Sequence, residues 1–164
     1  MRVRTIGAAA ALLLVVAGCG TSDNEAKKAI ADSIMKASDS GLAVKQSEAD
    51  CIAGGFVDDI GVDKLKKYGI LTEDGKTDES LSDVKMSADD ADAAASAFVD
   101  CVDVQELLND QMQLDSMDAA TAACVKEAFS DDVMHDVLAA TFQGEDPSTA
   151  APDMVTKLQE CMTS

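Results

Sequence analysis

The sequence predicts an all-α protein, a helical bundle of about six to seven helices built from two disulfide-stapled three-helix repeats. Three observations support this fold class. Aromatic residues make up only 3% of the 164 residues, and alanine, aspartate, lysine and leucine dominate, which favours helices over strands. Apolar residues recur at helical spacing. Four of the five cysteines fall within the helical segments, namely Cys51, Cys101, Cys124 and Cys161.

The N-terminus has the features of a bacterial export signal. Arg2 and Arg4 precede an apolar run over residues 6–17, which is too short to span a bilayer as a permanent helix. The run ends in Val16-Ala17-Gly18-Cys19, which resembles the lipobox of bacterial lipoproteins. The resemblance implies that residues 1–18 are a signal peptide and that Cys19 becomes the lipidated N-terminus. Acyl chains such as palmitate on this cysteine would hold the protein at the extracytoplasmic face of the cell membrane.

The rest of the chain has the size and charge of one acidic domain. Its 146 residues contain 11 basic and 31 acidic side chains, a net charge of −20, and suffice for a single hydrophobic core. A surface this acidic repels phosphate backbones, so nucleic acid is excluded as a partner. We therefore predict a signal peptide (1–18), a lipid-anchored N-terminal helix and link (19–47), and a helical domain (48–164).

The first half of the chain predicts four helices joined by polar links. Stretches that begin at Ser22, Ser47 and Ser87 resemble capping boxes, which place helix starts near residues 23, 48 and 88. Gly61 and Gly69 end the second and third helices. The segment LTEDGKTDESLSD, residues 71–83, indicates an exposed loop. The predicted helices span about residues 23–37, 48–59, 62–68 and 88–109.

The second half repeats the pattern. Helices are predicted over about residues 117–129, 131–142 and 152–162, the middle one with Ser130 as its N-cap and Gly144 at its end. The stretches CIAGGFVDDIGVDKL, from residue 51, and CVKEAFSDDVMHDVL, from residue 124, are identical at six of fifteen positions. We therefore predict an internal duplication, with repeat 1 over about residues 48–110 and repeat 2 over about residues 116–164.

The four cysteines of the domain predict two disulfides, because an exported chain meets an oxidising compartment. The simplest pairing joins Cys51 to Cys101 and Cys124 to Cys161, and staples the first helix of each repeat to the third. Each closed loop would contribute roughly 4 kcal/mol in the chain-entropy model. Two other pairings also respect the repeat: Cys51–Cys161 with Cys101–Cys124, and Cys51–Cys124 with Cys101–Cys161. A zinc site is disfavoured because no CxxC or CxxH spacing occurs.

The paired aspartates of the duplicated stretch are candidate cation ligands. Asp131 and Asp132 fall in the first turn of a predicted helix, where carboxylates stabilise the positive end. Asp58 and Asp59 stand just before the glycine break, in the corresponding place of the first repeat. Calcium would need about six to eight oxygens and a DxDxDG-type loop, which the chain lacks. His135 follows Asp131 by one helical turn, and we favour an exposed helical histidine over a metal ligand. No metal and no cofactor is predicted.

The sequence indicates a class of protein but no specific activity. It contains no GxSxG, HExxH or phosphate-binding glycine loop, so a hydrolase is only a third hypothesis. The lipobox, the acidic body and the cysteine-bearing helices resemble small lipoproteins of high-GC Gram-positive bacteria, many without assigned function. Our leading hypothesis is a non-catalytic, membrane-anchored module that binds a protein or another envelope component. The alternative is a carrier of a small ligand or cation, with a cavity or acidic cleft between the repeats; an apolar cavity would favour it, whereas a broad exposed apolar patch would favour the module.

Overall fold

The computed structural model describes residues 21–38, 44–77 and 84–163. The predicted signal peptide, lipobox and Cys19 lie outside these residues, as do parts of the predicted link and loop. The described part of the chain is helical without a strand, which confirms the all-α class. The helices are α1 (Asp23–Ser38), α2 (Gln46–Gly55), α3 (Val62–Lys67), α4 (Ala88–Cys101), α5 (Val104–Met112), α6 (Ala119–Ala128), α7 (Asp131–Gln143), α8 (Pro147–Ala150) and α9 (Pro152–Thr163).

Of the three predicted capping boxes, the one at α1 is complete, whereas at α4 only the serine side-chain cap forms, because the Ser87 N–H donates to Tyr68 Oη. At α1 the Ser22 N–H donates to the Glu25 carboxylate at 3.0 Å, and the Glu25 N–H donates to Ser22 Oγ at 3.3 Å. At α4 Ser87 Oγ accepts from the Asp90 N–H at 3.4 Å and donates to the Asp90 carboxylate at 2.9 Å. Both helices therefore begin at the predicted residues, because side chains satisfy the N–H groups of the first turn.

The prediction that Ser47 caps the second helix is wrong, because α2 already begins at Gln46. The Lys45 N–H donates instead to the Glu48 carboxylate at 2.8 Å. This register buries Val44 just ahead of the helix, where its exposed fraction is 7%. Burial of an apolar side chain thus favours the earlier start over a serine cap.

The chain after α2 stays helical in a wider form. Residues Phe56–Ile60 form a π-helical segment that continues α2, and its apolar side chains are buried. Gly61, with φ of +89°, ends the segment in a conformation that favours glycine. The predicted end of the second helix at this glycine is confirmed. Asp58 and Asp59 consequently lie inside a helix rather than at the start of one.

The prediction of one long helix over residues 88–109 is wrong, because the chain is divided there into α4 and α5. Val102 adopts an extended conformation with φ −115° and ψ 128°. The Asp103 carboxylate then accepts the Glu106 N–H at 2.9 Å and caps α5. The break buries both Val102 and Val104, whereas residues two apart on a continuous helix do not share a face.

The predicted exposed loop contains an ordered turn. Leu71 and Thr77 form an isolated antiparallel bridge, and Gly75 lies between them with φ of +74°. Glu73 and Asp74 are exposed, as expected for a polar loop. Leu71 is only 1% exposed, however, so the segment begins in the hydrophobic core. The expectation of full exposure is therefore wrong for its first residue, because an apolar side chain there is buried.

A large and a small hydrophobic cluster make up the core of the described residues. The large cluster is formed mainly by α1, α2 with its π-helical extension, and α4. The small cluster contains Leu114, Val125 and Cys161. Helix α7 of the second predicted repeat packs extensively against α4 of the first, while α6 packs against α9. The two predicted repeats therefore share a helix contact, and the duplication itself stays a prediction.

Candidate functional site

Both disulfides join the helices that the simplest pairing predicted. Cys51 of α2 is bonded to Cys101 at the end of α4, and Cys124 of α6 is bonded to Cys161 of α9. The two alternative pairings are excluded. The four bonded cysteines differ in exposure. Cys51 is exposed, Cys101 and Cys124 are half-buried, and Cys161 is 2% exposed. The first disulfide thus reaches the surface, and the second has one half in the core.

The first aspartate pair lies at the surface of the π-helical segment, where one member is bound by a lysine. Lys27 Nζ of α1 lies 2.8 Å from both carboxylate oxygens of Asp58. Asp59 is exposed. The role of Asp58 is therefore to connect α1 to the extension of α2, and the lysine already supplies the positive charge that a cation would provide.

The second aspartate pair lies at a helix start, as predicted. Asp131 and Asp132 are exposed in the first turn of α7, where their charge stabilises the positive helix end. Ser130 holds the N-cap position, and its carbonyl accepts the Met134 N–H at 2.9 Å. Its hydroxyl accepts no bond from the helix, so the predicted side-chain cap is wrong. The two pairs differ in setting: Asp131 and Asp132 begin a helix, whereas Asp58 and Asp59 lie just before the break at Gly61, as predicted.

His135 is not the exposed histidine that we predicted, because its ring faces α4. Its side chain is 26% exposed, with Nε2 3.2 Å from Ser96 Oγ and 3.5 Å from Asp92 Oδ1. Nδ1 lies 3.6 Å from Asp136 Oδ1. The carboxylates beside the ring are thus those of Asp92 and Asp136, rather than that of Asp131. Packing of α7 on α4 explains the difference, since it covers the helix face that carries the histidine.

This histidine cluster connects two helices and does not form a catalytic triad. A Ser-His-Asp triad needs a hydrogen bond on each side of the imidazole, and 3.6 Å between Nδ1 and Asp136 is too long for one. In the described ranges no group of three or more His, Cys, Asp or Glu side chains could hold a metal ion. The candidate cation ligands are therefore not brought together there: Asp58, Asp59, Asp131, Asp132 and His135.

Asp90 is a buried acid that the sequence analysis recognised only as part of a helix cap. It is 5% exposed, and Lys64 Nζ donates to it at 2.7 Å, together with the hydroxyls of Tyr68 and Ser87. The bond from Lys64, followed by that from Tyr68, lowers the Asp90 pKa to about 2. The same contact raises the Lys64 pKa. The cluster connects the end of α3 to the start of α4. Lys64 and Tyr68 lie 26 and 22 residues from Asp90, so helical spacing in the sequence does not predict the contact.

The main candidate site is a cavity of about 160 Å³ among α1, α2, α4 and α7. It is open to solvent on one side. The cavity lies beside the large hydrophobic cluster, so its wall is part of the same packed core. We call this space the apolar cavity, and its main apolar lining residues are Ile30, Ile34, Ile52, Phe56, Phe98 and Phe142.

The wall of the apolar cavity has very little polar surface. The polar side chains among its described lining residues are the hydroxyl-bearing Ser33 and Thr77, and none of these lining residues is ionisable. The rings of Phe56 and Phe142 meet edge to face, with centroids 6.0 Å apart and an interplanar angle of 81°. This arrangement can bind apolar compounds by excluding water from the wall.

Sequence reasoning allowed for a cavity between the repeats but did not identify the residues that line the apolar cavity. Ile70 and Val84 line it from either side of the segment that was predicted as an exposed loop, and Phe142 comes from the second predicted repeat. Helical periodicity identifies buried faces, but it does not show whether the side chains opposite fill the space between them. The one available signal was the apolar pair Ile70-Leu71 at the beginning of an otherwise polar stretch.

The described surface shows little of the apolar area that a protein-binding module would need. Its exposed large apolar side chains are Met112, Met117 and Val155, with exposed fractions of 37%, 38% and 44%. Three such side chains are too few for a broad apolar patch. Among the described helices, none has both the length and the hydropathy of a membrane span.

Neither the protein-family models nor the curated proteins nor the solved structures contain a match to this chain.

Proposed function

We propose that this chain is a non-catalytic lipoprotein at the extracytoplasmic face of the membrane, and that it binds a small apolar ligand in the apolar cavity. The cavity is the observation that carries the proposal, since a space of about 160 Å³ is lined almost wholly by aliphatic and aromatic side chains. Native interiors contain few voids larger than a water molecule. This chain leaves such a space in its apolar core open to solvent instead of filling it with side chains, which favours a functional reason for keeping it.

The volume limits what the cavity can accept. A cavity of about 150 Å³ lined by Leu, Ile and Phe stays dry and binds benzene, whereas sites for drug-sized ligands measure roughly 300–1,000 Å³. The apolar cavity therefore has room for one ring or one chain end. Because it is open on one side, a longer ligand can leave its remainder in solvent.

This proposal places the carrier hypothesis ahead of the protein-binding hypothesis. The cavity is an observation that favours a carrier, and the described surface provides no matching observation for a protein-binding module. The cation version of the carrier gains no support, because Asp58 is already paired with Lys27. The proposed lipid anchor rests on the resemblance of residues 16–19 to a lipobox. The non-catalytic part of the proposal rests on the lack of GxSxG, HExxH and phosphate-binding glycine motifs in the sequence.

The location of the cavity suits a ligand that comes from the membrane. Helix α1 begins at Asp23, four residues after the predicted lipid-bearing Cys19. At about 1.5 Å per residue, Ile30 of the cavity wall lies only about 10 Å along α1 from that start. A lipidated Cys19 would thus hold the apolar cavity close to the bilayer surface.

Benzene titration of the wild type and of Ser33→Leu tests the proposal. Benzene should raise the Tm of the wild-type protein in a saturable manner, because it binds only the folded state. The leucine fills part of the cavity, so it should abolish the shift and raise the free energy of unfolding by about 1 kcal/mol. Calorimetric unfolding with and without benzene measures both effects.

Two control variants make this experiment specific. Ser33→Ala leaves the cavity open and should keep the benzene shift. The double change Asp131→Asn and Asp132→Asn should lower stability modestly, by less than about 1 kcal/mol, and leave the shift intact, because it alters only a helix start. A wild-type Tm that does not respond to benzene, or a shift that survives in Ser33→Leu, would contradict the proposal.

A further inference from the structure

We infer that the Cys51–Cys101 disulfide is a redox switch of the apolar cavity: its reduction by a protein dithiol loosens the cavity wall and weakens ligand binding. This inference rests on the proposed function, since it assigns a form of regulation to the same cavity. It gives the two disulfides different roles, because Cys124–Cys161 is then a structural cross-link.

The Cys51–Cys101 disulfide joins two helices that contribute to the cavity wall. Cys51 directly precedes Ile52, a lining residue on α2. Cys101 follows Phe98, a lining residue on α4, by about one helical turn. The Cα atoms of the two cysteines are 5.7 Å apart. A change at this bond therefore acts on the helices that position both lining residues.

Helices α2 and α4 pack closely next to the disulfide. A Cβ atom at Gly55 would lie only 2.6 Å from Cβ of Ala97. Gly55 follows Cys51 by four residues, and Ala97 precedes Cys101 by four residues, so the two helices run antiparallel here. Close-packed side chains transmit a displacement to their neighbours. Reduction removes the covalent restraint on the spacing of α2 and α4, so the cavity wall that they carry loosens.

Cys51 makes this disulfide accessible to a reductant. It is exposed on α2, while Cys101 is half-buried. Thiol–disulfide exchange needs a thiolate to reach one of the two sulfur atoms. The other disulfide is less accessible, since it pairs the half-buried Cys124 with Cys161, which is 2% exposed. The bond beside the cavity is thus the one that a dithiol reaches more easily.

The reduction is a two-step exchange that consumes one dithiol. A thiolate of the dithiol attacks Cys51 Sγ, a mixed disulfide forms, and Cys101 Sγ leaves as a thiolate and takes up a proton. The second thiolate of the dithiol attacks the reductant's own sulfur in the mixed disulfide, and Cys51 Sγ leaves and is protonated. The chain gains two electrons and two protons, and the dithiol becomes a disulfide.

The Cys124–Cys161 disulfide provides a matched control in the same chain. It joins α6 to α9, and the described lining residues of the cavity come from other elements. The two bonds have sequence separations of 50 and 37 residues, so they restrain the unfolded chain to a similar extent. Loss of either bond should therefore lower stability similarly, but only loss of Cys51–Cys101 should change the cavity.

Two double variants test the inference: Cys51→Ser with Cys101→Ser, and Cys124→Ser with Cys161→Ser. We titrate both variants and the oxidised wild type with benzene in a calorimeter, at a temperature where far-UV circular dichroism shows equal helix content. We expect the dissociation constant of benzene to rise about tenfold in the first variant and less than about twofold in the second. Equal changes in the two variants would overturn the inference.

A redox titration of the wild type needs no substitution and does not depend on the folding of a variant. Each disulfide is followed by alkylation and peptide mapping in a dithiothreitol redox buffer, with and without saturating benzene. A tenfold preference of benzene for the oxidised state moves the Cys51–Cys101 midpoint about 30 mV toward more negative potential, because the couple transfers two electrons. The Cys124–Cys161 midpoint should stay in place. An unmoved Cys51–Cys101 midpoint, or equal shifts of both midpoints, would contradict the switch.

The outcomes also separate this inference from the proposed function. If benzene binds the oxidised wild type and the first variant equally well, the cavity is a binding site without this switch. If benzene does not bind the oxidised wild type, the proposed function fails and this inference fails with it.

Discussion

Adjacent glycines at the end of α2 have opposite surroundings. A Cβ atom at Gly55 would lie 2.6 Å from Cβ of Ala97 in α4, whereas a Cβ atom at Gly54 would meet nothing within 4 Å. Gly55 therefore permits the close approach of α2 and α4, and Gly54 does not contribute to it. The sequence alone shows two equivalent glycines, since the distinction depends on a residue 42 positions away in α4.

Alanine substitutions at these two positions should have opposite effects on stability. Gly54→Ala should raise the free energy of unfolding by about 0.5–1 kcal/mol, because alanine is the better helix former. Gly55→Ala should lower it by about 1–3 kcal/mol, because the helices must separate to accommodate the methyl group. Urea unfolding at neutral pH measures both variants. A stabilising effect of Gly55→Ala would show that the helices do not pack this closely.

Asp90 makes stability sensitive to acid. Its pKa is about 2 in the folded protein, below the ordinary 3.8, because of Lys64 and Tyr68. Since the folded pKa is the lower one, the stabilisation is fully present above about pH 4 and is lost as the pH falls through about 2. Asp90→Asn should therefore lower the free energy of unfolding by about 2 kcal/mol at pH 7. It should also make the curve of stability against pH flatter between about pH 4 and pH 2.

The exposed neighbour Asp89 provides the control for this experiment. Asp89→Asn changes the same helix turn but leaves the Lys64–Asp90 contact in place. It should cost less than about 1 kcal/mol, as for an exposed first-turn carboxylate. Equal losses in the two variants would indicate that helix electrostatics, rather than the buried cluster, account for the effect.

Among the structural elements, the two disulfides differ in accessibility. Thiol–disulfide exchange requires a thiolate to reach one of the sulfur atoms. Cys51 is exposed at α2, whereas the second disulfide pairs the half-buried Cys124 with Cys161, which is 2% exposed. We therefore expect a mild thiol reductant to open Cys51–Cys101 before Cys124–Cys161. Timed alkylation and peptide mapping would measure the order, and simultaneous or reversed opening would contradict it.

Helix ends were predictable where a local signal sets them. Ser22 forms a capping box and Ser87 a side-chain cap within four residues, and Gly61 ends the extension of α2. The break between α4 and α5 was missed, because it depends on the burial of Val102 and Val104 against distant parts of the chain. The disulfide pairing was predictable for a related reason, since each bond joins helices of the same predicted repeat. Ser130 shows the converse, because a suitable residue at an N-cap position does not ensure the side-chain bond.

At the scale of the whole molecule, the choice of helix pairs was not predictable. Periodicity gave each helix an apolar face, but it did not show that α7 packs on α4. That pairing turns His135 toward Ser96 and removes it from the solvent-exposed position that we predicted. It also creates the apolar cavity, which exists only because side chains from separate helices surround a space without filling it.

Phe142 connects the C-terminal half of the molecule to the rest of the cavity wall. It comes from α7 in the second predicted repeat, while the other described lining residues of the cavity fall between residues 30 and 98, ahead of that repeat. Its carbonyl accepts the Met86 N–H at 2.8 Å, and its ring meets Phe56. A molecule in the cavity would contact both halves at once, so occupancy and docking of the C-terminal half are thermodynamically linked. The linkage is reciprocal. A change that loosens the packing of α7 lowers the affinity for the ligand, and the bound ligand stabilises that packing by an equal coupling free energy.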